Sequence, residues 1–245
     1  MKAVRIEEFG GPEVLRTADV PTPEPGDDEV LVELRASGVN RTDVLTRSGG
    51  YHAAGRSPVV PGFEGSGIVR EAGPAVTGVS VGDRVLAFGG RPGFYAEYVA
   101  VPQGHVVLIP ETLDWNSAAA LPVAPLSAWY CLRHLARLRS GEKVLVWAAA
   151  SDVGDAAVQI AKHLGATVIA TAGSDEKVAW AVENGADEGC HVRDDVLERT
   201  RGIVGEGGIE VVLDTVGVDV SARASSWSAT ADAWWPWRTS RWRRA

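Results

Sequence analysis

Along the chain the spacing of hydrophobic positions changes once, near residue 112. Before it, Met1 to Ile6 and Glu29 to Ala36 alternate apolar and polar residues, the period of strands with one buried face. The turn Pro21-Thr-Pro-Glu-Pro-Gly26 separates them, and Val59 to Ala72, Val79 to Phe88 and Phe94 to Pro102 continue as short strands divided by glycines. Frequent turns and short strands predict a compact, barrel-like β domain over residues 1–112. Beyond it, Asp114 is placed to cap a helix through Ala118-Ala-Ala-Leu121, and Leu126 to Leu138 reads as a second helix. Strands over Val144–Trp147, Thr167–Thr171, Glu188–Val192 and Ile209–Leu213 then alternate with helices. These helices run over Asp155–Leu164, from Ser174 to just before Gly185, and over Asp194–Val204. Such alternation predicts a parallel sheet with right-handed crossovers over residues 113–218. Val218 to Ala245 carries neither period, so 219–245 reads as an irregular tail.

The stretch from Glu142 to Ala166 organises the second half. Val144 to Trp147 is an apolar run suited to a strand buried on both faces. Ala148 to Gly154 holds nothing bulkier than Val153 and reads as a tight turn. Ala156, Ala157, Ile160, Ala161 and Leu164 then recur at helical spacing until Gly165. Strand, small-residue turn and helix open a dinucleotide-binding βαβ unit, in which the amides at the helix start face a pyrophosphate. The turn keeps only Gly154 of the expected glycines. Ser151 and Asp152 stand where glycine would let phosphate approach, and Asp152 and Asp155 bring negative charge beside an anion site. A packed α/β turn without a ligand is the competing reading.

Composition narrows the class. A chain of 245 residues with 45% hydrophobic content can bury one large core or two modest ones. With no long apolar run and no charged-then-apolar leader, it reads as neither membrane-spanning nor secreted. Cys131 and Cys190 fit no metal or redox spacing and read as buried thiols of a cytoplasmic protein. Residues 1–218 carry a net charge of −11 and residues 219–245 one of +3. The acidic body argues against nucleic acid as its partner.

Several segments then carry a resemblance. Asn40-Arg-Thr-Asp43, Pro61-Gly-Phe-Glu-Gly65, Gly82-Asp-Arg-Val85, Tyr95-Ala-Glu-Tyr98 and Ala118-Ala-Ala-Leu-Pro122 resemble the medium-chain dehydrogenase/reductase superfamily. Ala156-Ala-Val-Gln-Ile-Ala-Lys162 and Leu213-Asp-Thr-Val-Gly217 are similar to its zinc-free, zeta-crystallin-like quinone oxidoreductases. The resemblance covers nearly all of residues 1–218. It implies a GroES-like β-barrel domain followed by a Rossmann domain, which here would be incomplete. It also implies hydride transfer from NADPH to a quinone or enone, and a homodimer for the full-length family. An enoyl-thioester reductase of the same superfamily is the alternative activity. A relic that no longer binds nucleotide is the alternative without one.

The resemblance assigns Asn40 and Tyr51 to the acceptor pocket, as catalytic residues. An amide and a phenol can both hydrogen-bond a carbonyl oxygen, although an Asn in a turn and a loop Tyr are equally ordinary. Asp43 reads as structural, capping a short helix from Val44. It assigns cofactor contacts to Ser127, Ala150, Ser151, Asp152, Val153, Gly154, Ser174, Lys177, Val216 and Gly217. At the end of the second strand, Ala172 replaces the carboxylate typical of NAD-preferring domains, with Ser174 and Lys177 close behind. A hydroxyl and an ammonium suit a 2′-phosphate, hence NADPH; a helix cap and a solvated lysine are the plain alternatives. Val192 stands where relatives often carry a tyrosine over the adenosine. Asn40 and Phe63 stand where zinc-dependent relatives carry cysteine and histidine, which leaves Glu64 alone, so no zinc is expected. His52 and His134 have no partner at catalytic spacing.

Five of the nine tryptophans lie between Trp227 and Trp242, interleaved with arginines. A membrane-surface or single-strand-binding segment is one reading. Because no apolar face separates out, a chain truncated or out of frame after about residue 218 is the reading preferred. It predicts an unpaired sheet edge beside the fourth strand.

Overall fold

The structure, a computed structural model, describes residues 1–51, 55–194, 199 and 208–217, and the backbone of 238–241. His52 and most of the helix expected over Asp194–Val204 lie outside the described residues. The chain divides into two compact units, Met1–Val123 and Ala124–Ala245.

The first unit is built on β-strands. β1 (Lys2–Arg5) and β2 (Arg16–Asp19) form an antiparallel ribbon. β3 (Glu29–Ser37), β4 (Glu64–Ala72), β5 (Arg84–Phe88), β6 (Tyr98–Pro102) and β7 (Val106–Leu108) form an antiparallel sheet in the order β6-β3-β4-β5-β7. Val30 and Val32, Val85 and Ala87, and Val99 and Val101 fall on its buried face two residues apart, packed with Val69 and Phe94. This is the alternation read in the sequence, and each such side chain contributes about 1.5–3 kcal/mol on full burial. Register shifts at Leu31/Val32 and Leu34/Ala36 bend β3 against β4, as bulges do. β2 and β7 escape the sequence pattern because they are short and largely exposed.

α1 (Arg41–Arg47) begins at Arg41 with Asn40 as its cap, three residues earlier than Val44. Asp43 sits at the third helical position and reaches back to the Asn40 amide, which the expected start could not provide. α2 (Trp115–Ala119) is capped by Asp114, which accepts from the amides of Asn116 (2.9 Å) and Ser117 (3.0 Å). Although α2 follows residue 112, it packs with the first unit. The Ser66 hydroxyl donates to its Trp115 carbonyl, and the Arg84 guanidinium lies 4.2 Å from the Trp115 ring centroid.

α3 (Val123–Trp129), which enters the second unit at Ala124, leads into a π-helical turn, Tyr130–Leu135, where the Ala136 amide bonds the Cys131 carbonyl. β8 (Lys143–Val146), β9 (Thr167–Ala172), β10 (Glu188–His191) and β11 (Val211–Asp214) run parallel in the order β10-β9-β8-β11. α4 (Asp152–His163) and α5 (Asp175–Glu183) are the crossovers. Both faces of the sheet are buried. Val144, Val146, Val168, Ala170, Val211 and Leu213 pack with Ala157, Val158, Ala161 and Ala181. Leu145, Trp147, Ile169, Cys190 and Val212 form the core on the other face. Continuous rather than alternating apolar strands follow from this double burial.

The outer edge of β11 departs from expectation. It is paired antiparallel by β12 (Arg238–Arg241), with Val211 opposite Arg241 and Asp214 opposite Arg238. The tail therefore holds a strand, and the predicted open edge is covered. Backbone hydrogen bonding needs no hydrophobic period, which is why the pattern was silent here. Among the described residues no helix is long and apolar enough to cross a membrane.

Candidate active site

Two polar constellations carry the candidate chemistry, one in each unit. In the first, Asn40 (9% exposed), Asp43 (6%) and Glu64 (3%) are buried together. The Asp43 carboxylate accepts from the Asn40 amide (2.8 Å), the Gly62 amide (3.1 Å) and the Tyr95 hydroxyl (2.9 Å). Burial, and then the Asp43 charge, push the Tyr95 phenol well above its ordinary range, so it stays protonated and donating. The Asn40 side-chain Nδ2 donates to Glu64 Oε1 at 2.5 Å, and Glu64 Oε2 accepts from the Val123 amide at 2.6 Å. Tyr51 meets the ring of Phe63 edge-on, centroids 5.7 Å apart and planes at 90°. The adjacent residues Phe63 and Glu64 thus hold Tyr51 and Asn40 respectively.

A zinc ion does not fit this donor set. Asn40 supplies an amide already bonded to Glu64, Phe63 supplies only carbon, and Glu64 is engaged on both oxygens. Among the described residues no three His, Cys, Asp or Glu side chains group to hold a metal. Cys131 and Cys190 are buried thiols, raised above their ordinary pKa by burial. His134 stacks on Tyr130, with ring centroids 5.5 Å apart.

The second constellation lies at the carboxyl ends of β8, β9 and β11, the edge at which parallel α/β sheets bind ligands. After β8 the backbone turns sharply. Ala148 adopts φ +52°, the Ser151 amide returns to its carbonyl (2.8 Å), and the Ala149 amide reaches the Thr171 carbonyl (2.9 Å). Ser151 caps α4 by accepting from the Gly154 amide at 3.2 Å. The amides of Ala150, Asp152 and Val153 have no hydrogen-bond partner among the described residues. Gly154 is required for packing: a Cβ there would run into the Ala148 carbonyl oxygen and stand 2.7 Å from Ala149 Cα. Asp152 is exposed, and Asp155 accepts from Gln159 Nε2 at 3.0 Å, both in the first turn of α4.

The remaining assigned residues are placed as follows. Ser174, at the end of β9, caps α5 by accepting from the Lys177 amide at 3.3 Å, while the Lys177 side chain is exposed. At the end of β11 the Val216 and Gly217 amides both go to Asp214 Oδ1, at 2.8 and 3.0 Å, so neither is left for a ligand. Asp214 is 5% exposed and its Oδ2 is unpartnered among the described residues. Ser127 lies half-buried on α3, and Val192 packs against the core of the second face. Sequence reasoning passed over Tyr95 and Asp214 although both stand in segments it singled out, Tyr95-Ala-Glu-Tyr98 and Leu213-Asp-Thr-Val-Gly217. Their burial is the missing signal.

The profile of the alcohol dehydrogenase GroES-like domain matches residues 26–111, and that of the zinc-binding dehydrogenase matches residues 153–232, beyond Gly217. The quinone oxidoreductase of Lama guanicoe is 38% identical over 87% of this chain and 66% of its own length. The chain thus spans about two thirds of such curated relatives. The structure of the Pseudomonas syringae pv. Tomato DC3000 quinone oxidoreductase superposes with TM-score 0.84 at 37% identity, over 89% of this chain and 67% of that one. The Escherichia coli quinone oxidoreductase, solved in complex with NADPH, gives TM-score 0.85 at 32% identity, over 91% and 68%.

Proposed function

The chain belongs to the medium-chain dehydrogenase/reductase superfamily, in its quinone oxidoreductase branch, and on that premise we propose that it is an NADPH-dependent, zinc-free reductase of quinones or other conjugated carbonyls. The observation that carries this reading is the turn Ala148–Gly154, with three amides unpartnered among the described residues at the start of a 12-residue helix and a glycine that keeps the helix against the strand. Such amides, with the positive end of the helix dipole, are suited to a pyrophosphate. The bound nicotinamide cofactor would supply the hydride. Ala150, Asp152 and Val153 would hold its diphosphate through backbone N–H groups, with Ser174 and Lys177 beside a 2′-phosphate. Asn40 and Tyr51 would orient a small-molecule acceptor by hydrogen bonds, which steady the negative charge developing on its oxygen without a metal. Two buried free thiols agree with a cytoplasmic setting.

Fluorescence titration tests the reading. The full chain is expected to give a saturable change with NADPH, weaker with NADH, and steady NADPH oxidation on adding a quinone. A 2-enoyl thioester oxidised faster than the quinone would shift the substrate class. Asp152 and Asp155, both beside the amides, favour a second reading in which the turn holds no nucleotide. Absence of any saturable change with either cofactor would establish it in place of the first.

A further inference from the structure

Glu64 stands between Asn40 and the Val123 amide, and the polarity of its two contacts is unequal in consequence. An ionised carboxylate only accepts hydrogen bonds, whereas a side-chain amide donates from one end and accepts at the other. With Glu64 Oε1 2.5 Å from its Nδ2, Asn40 has one satisfied orientation, nitrogen toward Glu64 and Oδ1 away from it. Glu64 in turn is fixed by the Val123 amide at 2.6 Å and by the lack of a side chain at Gly38, where a Cβ would stand 2.6 Å from the Glu64 carboxyl carbon. Both residues are buried, so water competes little for these bonds.

We propose that Glu64 is a positioning residue that sets which end of the Asn40 amide meets the acceptor. This rests on the reading that Asn40 lines the acceptor pocket. The arrangement makes a specific consequence for Glu64→Gln, a change of equal size. The Val123 amide needs an acceptor and takes the Gln oxygen, which leaves the Gln NH₂ facing Asn40. Asn40 must then turn over, so that Oδ1 stands where Nδ2 would offer its second N–H to the acceptor oxygen.

The test is the full chain carrying Glu64→Gln, Asn40→Ala and both. Glu64→Gln is expected to raise the quinone KM about tenfold, the factor made by 1.4 kcal/mol, with little change in kcat or in NADPH affinity. In the Asn40→Ala background the same change is expected to do nothing further. The side-chain amide resonances of Asn40 are expected to shift in Glu64→Gln whether or not the chain turns over. If Glu64→Gln does not fold, Gly38→Ala, which displaces the Glu64 carboxyl group, should move the same signals and the same KM. Unmoved Asn40 signals, or an equal KM effect with and without Asn40, would overturn the proposal. Absence of turnover in the unaltered chain would instead count against the reductase reading and leave the amide signals to decide Glu64.

Discussion

The polar groups around Asn40 and those of the turn Ala148–Gly154 are disposed in opposite ways. In the first unit Asp43 accepts from three donors, and Glu64 accepts from the Asn40 side chain and the Val123 amide, all within the protein. In the second, three amides have no partner among the described residues, and a non-glycine residue is held at positive φ beside them. A network that consumes its own hydrogen bonds fixes the geometry of a side chain such as Asn40. A turn that withholds them keeps donors for something outside the chain, at a cost in strain that the surrounding packing offsets. The two devices should therefore respond differently to substitution.

The largest expected effect falls on the turn. Gly154→Ala drives a methyl group into backbone, and a loss of about 3 kcal/mol is expected, with loss of nucleotide binding. Thermal unfolding followed by circular dichroism measures it; an unchanged midpoint would remove the close helix–strand contact from the comparison. Next, Asp43→Ala strands the Asn40 and Gly62 amides and the Tyr95 hydroxyl. About 2 kcal/mol is expected in urea unfolding of the first unit, with NADPH affinity unaltered. Equal losses of stability and cofactor affinity would show that the two constellations do not act separately. The smallest effect sharpens the comparison from the other side. Asp152→Asn with Asp155→Asn removes two charges opposing a diphosphate, and NADPH is expected to bind about tenfold tighter at low salt, the gain shrinking as salt screens it.

Most of the fold was legible because it is written in periods. Val30/Val32 and Val85/Ala87 announce one-sided strands, and Val144-Leu-Val146 announces a strand buried twice. Caps were legible too: Asp114 and Ser174 each act as the sequence suggests. The site was less so. That Ser151 spends its hydroxyl on Gly154, and Asp214 its Oδ1 on Val216 and Gly217, depends on backbone direction, which side-chain chemistry does not encode. Glu64 stood alone in the sequence, because its partners lie 24 and 59 residues away. β12 was invisible for a different reason, since an edge strand of Arg-Thr-Ser-Arg carries no hydrophobic signal.

That short strand bears on how the protein behaves in crowded solution. Val211-Val-Leu-Asp214 would otherwise offer other chains an apolar edge on which to add strands, the usual seed of aggregation. β12 instead pairs it along all four residues, from Val211 opposite Arg241 to Asp214 opposite Arg238. A strand arriving from elsewhere would find the hydrogen-bonding row of β11 occupied and could join only by displacing β12.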